Sequence, residues 1–273
     1  MTTVLDHIAA GTGPGLVLIH GTGADAASNW GALIEAASDR YAIVAPNLPG
    51  AGGTPAPDGP LDLDELADQV LATVHTAGLE RFHLVGHSLG AVIATAVAAR
   101  EPGAVTSLLL HAGWVTTGPR EVFMVDLWAR LLRTDPVLLA RHLILTATGP
   151  GLLGTLNDEQ FAEFAAGFAA TLGEHILPQI DLDGRIDLRD SVGRVLAPTL
   201  VLASTEDQVI PTHHQRELAE AIGDSRYLEV PGGHGLPFED PDRLFSIITD
   251  FVDAQQTAQQ SARRATRQTG VPA

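Results

Sequence analysis

Leu84-Val85-Gly86-His87-Ser88-Leu89-Gly90-Ala91 is the stretch on which the reading of the fold turns. A short apolar run, residues 82–85, enters Gly-x-Ser-x-Gly, and a small-residue run, residues 91–100, leaves it. This is the pattern of a strand that turns sharply into a helix with a serine at the apex, a nucleophile elbow. So tight a turn holds its apex residue in a strained backbone region and raises the hydroxyl into open space. Glycine on either side spares the neighbouring backbone a clash with a Cβ. The spacing alone is weak evidence, because chance supplies it in a glycine-rich chain. The strand and helix around it strengthen it. The rest of the chain must then supply a base, an acid and an oxyanion site.

Working outward, residues 16–19 form a continuous apolar run bounded by glycines, the signature of a strand buried on both faces. Residues 41–45, 105–111, 200–203 and 226–230 also read as strands, and residues 3–9 read as an edge strand. Between them lie helical patterns. Residues 62–77 carry Asp62 as N-cap and Gly78 just past the end, and residues 242–256 form a closing helix. Strands alternating with helices over short connections predict a mostly parallel, doubly wound α/β sheet.

The alternation stops between residues 114 and 195, where helices are predicted over 120–133, 136–146 and 158–172, with a weaker piece from 175. This region is expected to be a helical cap, inserted after the sixth strand and covering the carboxyl edge of the sheet. The expected organisation is a core of residues 1–113 and 196–258, a cap of residues 114–195, and a flexible polar tail of residues 259–273.

The 273 residues suffice for one large domain. No run of 18 or more apolar residues and no signal-peptide pattern occurs, and there are no cysteines. A cytoplasmic location is expected. The formal charge of −17 argues against nucleic acid and anionic membrane as partners, and otherwise serves solubility. No metal-ligand spacing is present. Gly11-x-Gly13-x-Gly15 precedes a strand instead of following one, so it is not a dinucleotide fingerprint. No cofactor or metal is expected.

Acyl transfer by serine needs an exposed hydroxyl, a base, an acid that orients the base, and donors for the oxyanion. Ser88 is the candidate nucleophile. His234 follows the last strand between small residues and is the candidate base, with ten other histidines in the chain. Asp207 follows the preceding strand and is the candidate acid, with Glu206 as the alternative. The order Ser88, Asp207, His234 is the nucleophile–acid–base order of one large fold. The backbone N–H groups of Leu89 and Thr22 are the candidate oxyanion hole, with His20 bracing the Thr22 loop. His87 is expected to pack beneath the elbow, and His213 and His214 to be solvated on a helix. Trp114, Met124, Trp128, Phe164, Leu236 and Phe238 are the candidate pocket residues. The face formed by Phe161, Phe164 and Phe168 also suits plain packing within the cap.

With these residues in view, the chain resembles proteins of the α/β-hydrolase fold. The resemblance rests on His20-Gly21-Thr22-Gly23, the loop of residues 46–54, Gly86-His87-Ser88-Leu89-Gly90, residues 205–211 and Gly233-His234. It covers roughly residues 3–254. Asn47 departs from it, where similar proteins often carry Asp, and so does Ser204, where Gly is common. The resemblance implies a serine hydrolase. Similar proteins that dehalogenate alkyl halides or open epoxides use a carboxylate where this chain has Ser88, which excludes those chemistries. The expected activity is cleavage of a small or medium, largely apolar ester or lactone through an acyl-enzyme. Thioester hydrolysis, C–C bond hydrolysis, perhydrolysis and a non-catalytic small-molecule binder are the alternatives.

Overall fold

The structure, a computed structural model, describes residues 2–269, without the side chains of residue 259 and residues 262–269. In chain order it runs β1 (His7–Ala10), β2 (Gly15–Ile19), α1 (Ala26–Ala37), β3 (Ala42–Pro46), α2 (Leu63–Thr76), β4 (Phe82–His87), α3 (Leu89–Arg100) and β5 (Val105–His111). Then come α4 (Pro119–Thr134), α5 (Pro136–Ala147), α6 (Pro150–Leu153), α7 (Asp158–Ala169), a 3-10 turn and α8 (Leu177–Asp183). The chain closes with β6 (Thr199–Ser204), α9 (Thr212–Ala221), β7 (Ser225–Val230), α10 (Leu236–Glu239) and α11 (Pro241–Thr269).

The seven strands form one sheet in the order β1-β3-β2-β4-β5-β6-β7. β1 is antiparallel to β3, and every other neighbouring pair is parallel. Side chains alternate across it, as strand geometry requires. Val17, Ile19, Leu84, Leu108 and Leu110 pack on one face with α2, α3 and α9. Leu16, Leu18, Val85, Leu109 and Leu200 pack on the other with α1 and α11. Strands covered on both faces become continuous apolar runs, which is why they were legible in the sequence.

β2 lies between β3 and β4, so strand order reverses there. Loops that leave the carboxyl ends of β2 and β4 diverge and open a crevice, the general ligand site of such sheets. Thr22 follows β2 and Ser88 follows β4.

Two expectations require correction. Only one antiparallel strand precedes β2, so the inserted helices follow the fifth strand and not the sixth. The expected tail is helical, because α11 continues through Thr269 on residues such as Ala, Gln and Arg that favour helix. Residues 270–273 lie outside the described residues.

Asn47 also acquires a reason. Its Oδ1 accepts from Ala26 N at 2.8 Å while its Nδ2 donates to Asp6 Oδ2 at 2.7 Å. A carboxylate at position 47 would set a second negative charge against Asp6, whereas the amide bridges a donor and an acceptor.

The elbow itself is a close-packed joint. A Cβ on Gly90 would meet Ile19 O at 2.2 Å, and one on Gly86 would meet Gly90 O at 2.3 Å. Both obstacles are backbone and cannot swing aside. Gly86→Ala and Gly90→Ala are each expected to lose at least about 3 kcal/mol of stability. Chemical denaturation of the purified variants measures it, and a loss below about 1 kcal/mol contradicts this packing.

Candidate active site

Ser88 has φ 56° and ψ −123°, and Ala112 is the only other non-glycine residue at positive φ among the described residues. Such backbone persists where its surroundings over-determine it. Ser88 N donates to His111 O at 2.9 Å, while Ser88 O accepts from Ala91 N at 2.8 Å at the start of α3. Ala112 N in turn donates to the side chain of buried Gln215 at 3.0 Å. The turn is thus clamped between β5 and α3, and the hydroxyl is left to face the crevice.

The three residues predicted from their strand ends come together. His234 Nε2 lies 2.9 Å from Ser88 Oγ, and His234 Nδ1 lies 2.9 Å from Asp207 Oδ2. The second Asp207 oxygen accepts from the Val209 and Ile210 N–H groups, each at 2.8 Å. The Asp207 side chain is fully enclosed. With only donors around this carboxylate, Nδ1 of His234 carries its proton, and Nε2 is left to accept the serine proton. Glu206, the alternative acid, is exposed.

Below this row lies a layer of buried histidines. His87 contacts His234 O through Nε2 and Asn29 Oδ1 through Nδ1, both at 3.0 Å, and stacks on His111. It packs beneath the elbow as expected. Burial holds its pKa well below the usual value. His111 is fully buried against Ser204 and does not reach the pocket.

The Thr22 loop is braced on both sides. His20 donates from Nδ1 to Gly21 O at 2.8 Å and accepts from Leu48 N at Nε2, 2.9 Å away. Gly21 N donates to Asn29 Oδ1, and Gly23 N donates to Gln179 Oε1. Neither Thr22 N nor Leu89 N is taken up by a turn or loop hydrogen bond. Gly21 packs so tightly that a Cβ there would lie 3.0 Å from the Ser88 Cβ. The loop therefore runs directly beside the serine.

Beside Ser88 is a small cavity of about 20 Å³, lined by Trp114, Met124, Trp128, Val209 and Ile210 with two acidic residues, Glu121 and Asp183. That is room for about one water molecule. Three of the six predicted pocket residues are there. The other three are not. Leu236 is fully buried in the core on the α1/α11 side of the sheet. Phe164 and Phe238 are roughly half exposed on the surface, on α7 and α10. Proximity in sequence to His234 misled in two of these cases, because the chain turns away at Gly235 into α10.

Glu121, Asp183 and Gln179 escaped the sequence reading. Glu121 accepts from Gly118 N and pairs with His214 at 3.1 Å, so His214 is buried and not solvated. Asp183 ends α8, where Thr22 Oγ1 donates to its Oδ2 at 2.7 Å. Burial pushes its carboxyl up to about 7, against the opposing pull of that hydrogen bond and the His234 charge. A lone Asp among acidic loops carries no sequence signal for such a role. Among the described residues no group of three or more His, Asp or Glu is placed to hold a metal ion, and no helix is long and apolar enough to cross a membrane.

This fold and site define a class, and the comparisons with known proteins agree with it. The family model described as "Alpha/beta hydrolase family" matches residues 16–247. The chain belongs to the alpha/beta hydrolase family. It is 31% identical over 244 residues to the pyrrolizixenacetamide deacetylase of Xenorhabdus hominickii, covering 89% of this chain and 92% of that protein. It is 30% identical over 242 residues to a protein that carries the name carbamate hydrolase RutD, from Klebsiella pneumoniae strain 342, covering 82% and 86%. Among solved structures, the enol-lactonase from Burkholderia xenovorans LB400 superposes with a TM-score of 0.80 at 25% identity, covering 91% of this chain and 96% of that one.

The buried groups set opposite pH dependences. Burial pushes His20 and His83 down to about 4 and His111 to about 3, from an ordinary 6.5. Their stabilisation is present above 6.5 and is lost as pH falls through those values. Asp183 runs the other way. Its contribution is present below 3.8 and is lost as pH rises through about 7. Asp183→Asn is therefore expected to raise the melting temperature at pH 8 by roughly 2–10 °C, and by less at pH 5. Thermal melts across that range check it, and a variant no more stable at pH 8 than at pH 5, relative to the parent, contradicts it.

Proposed function

We propose that the protein is a serine hydrolase that cleaves a small or medium, largely apolar carboxylic acyl compound through an acyl-enzyme. The observation that carries this reading is the unbroken row Asp207 Oδ2, His234 and Ser88 Oγ, with both links at 2.9 Å. In this mechanism Ser88 Oγ attacks the acyl carbon while its proton passes to His234 Nε2. Asp207 keeps the imidazolium oriented and stabilised. The oxyanion forms against the N–H groups of Thr22 and Leu89, the latter at the N-terminus of α3, whose dipole favours negative charge. His234 then gives the proton to the leaving group. A water activated by the same imidazole releases the acid and restores Ser88.

An ester or lactone is the reading that the sequence supports, and the enol-lactonase likeness agrees with it. A second reading is cleavage of an acyl C–N bond. The names of two relatives at 30% identity or more, a deacetylase of an acetamide and a carbamate hydrolase, favour that reading. In either case the inserted helices serve as a cap.

Ser88→Ala is expected to abolish labelling by a fluorophosphonate probe and to lower hydrolysis of short-chain 4-nitrophenyl esters by at least about 10⁴-fold. Asp207→Asn should lower it by about 10³–10⁴-fold while the protein still folds. Turnover by Ser88→Ala within tenfold of the parent sinks the mechanism.

A further inference from the structure

Two buried polar atoms without partners belong to residues of the Ser88 cavity. Asp183 is 6% exposed, and its Oδ1 has no hydrogen bond. Trp128 is 7% exposed, and its Nε1 has none either. Both residues line the cavity that Ser88 also lines. Among the cavity's other polar groups, Trp114 Nε1 donates to Thr117 Oγ1 at 3.0 Å, and both Glu121 oxygens have partners. An unsatisfied buried acceptor or donor costs stability, and chains keep such groups where a ligand satisfies them.

The position of Asp183 is constructed and not incidental. Thr22 Oγ1 holds its carboxyl at 2.7 Å, and Thr117 Oγ1 donates to its backbone carbonyl at 2.6 Å. Gln179, one turn earlier on α8, is fully buried, accepts from Gly23 N and donates to Pro49 O. α8 is thereby fastened to the loops after β2 and β3, and Asp183 is presented beside the candidate oxyanion hole with one oxygen fixed and the other free.

We infer that the cavity selects a substrate that presents an N–H to Asp183 Oδ1, as an amide or carbamate does beside its scissile carbonyl. The inference rests on the serine-hydrolase reading of the same site and deepens it. Asp183, whose titration lies near neutrality, accepts from the substrate N–H in its carboxylate form. An N-methylated analogue leaves that oxygen unsatisfied, and a site built to bond an N–H rejects a compound that lacks it.

The test compares two matched pairs. 4-Nitroacetanilide and 4-nitrophenyl N-methylcarbamate each carry one N–H beside the scissile carbonyl, on opposite sides of it. N-methyl-4-nitroacetanilide and 4-nitrophenyl N,N-dimethylcarbamate carry none. In at least one pair the parent protein should prefer the N–H member in kcat/KM by about tenfold or more, beyond the ratio of the uncatalysed rates. Asp183→Leu should reduce that preference to within about threefold. Asp183→Asn should do the same, because its amide oxygen keeps the Thr22 hydrogen bond and turns an NH₂ toward the substrate N–H. Fluorophosphonate labelling of each variant shows that Ser88 is still assembled, and the isosteric Asn variant serves if the Leu variant does not fold. A parent protein without the preference overturns the inference, as does a preference that survives in both Asp183 variants. If the parent is not labelled at Ser88, the serine-hydrolase reading falls with it; normal labelling with a flat ratio overturns the Asp183 assignment alone.

Discussion

A carbonyl-to-glycine contact governs the architecture of the site. Gly90 lies against the Ile19 carbonyl so closely that a Cβ would sit 2.2 Å from it. That contact brings the start of α3 onto the end of β2. It is possible only if the chain reverses within one residue after β4, and that residue is Ser88 at φ 56°. Everything else about the site follows from this reversal. The serine leaves the plane of the sheet, the N-terminus of α3 points at it, and the Thr22 loop passes beside it. The strain is distributed into neighbours that are themselves held, with His111 accepting from Ser88 N and Gln215 fixing Ala112.

Beneath that joint the protein uses neutral, buried histidines as rigid hydrogen-bonding parts. His20 ties the β2 loop to Leu48, and His87 ties His234 to the floor of the site. The His20 imidazole donates on one side and accepts on the other, so it links two backbone segments where a hydrophobic side chain could not. Keeping these rings uncharged costs proton affinity, and it lowers stability in acid. The arrangement therefore exchanges robustness at low pH for a floor that holds the His234 ring in place.

The sheet and the row of Ser88, Asp207 and His234 were legible because each depends on local signals. Buried parallel strands give unbroken apolar runs such as residues 16–19 and 200–203, and each candidate residue follows a strand end, with glycines flanking Ser88 two residues away and His234 directly. The pocket was legible only in part. Trp114, Met124 and Trp128 line the cavity, while Leu236, Phe164 and Phe238 do not. A helix face that meets the site and one that meets solvent carry the same periodic aromatic pattern, and only tertiary packing separates them. Asp183 and Glu121 were not legible at all. Their significance is burial, and burial of a carboxylate is decided by how α4 and α8 cross the sheet edge. Asn47 shows the reverse case: a departure from the common residue that the Asp6 and Ala26 contacts fully explain.

The reversal at Ser88 places its oxygen between an imidazole and two N–H donors. The crystal structure of the protein after reaction with a small alkyl phosphonate ester tests this most directly. Phosphorus is expected on Ser88 Oγ, with its charged oxygen at about 2.7–3.1 Å from both Thr22 N and Leu89 N. Phosphorus on another residue, or an oxygen turned away from those two N–H groups, would contradict it.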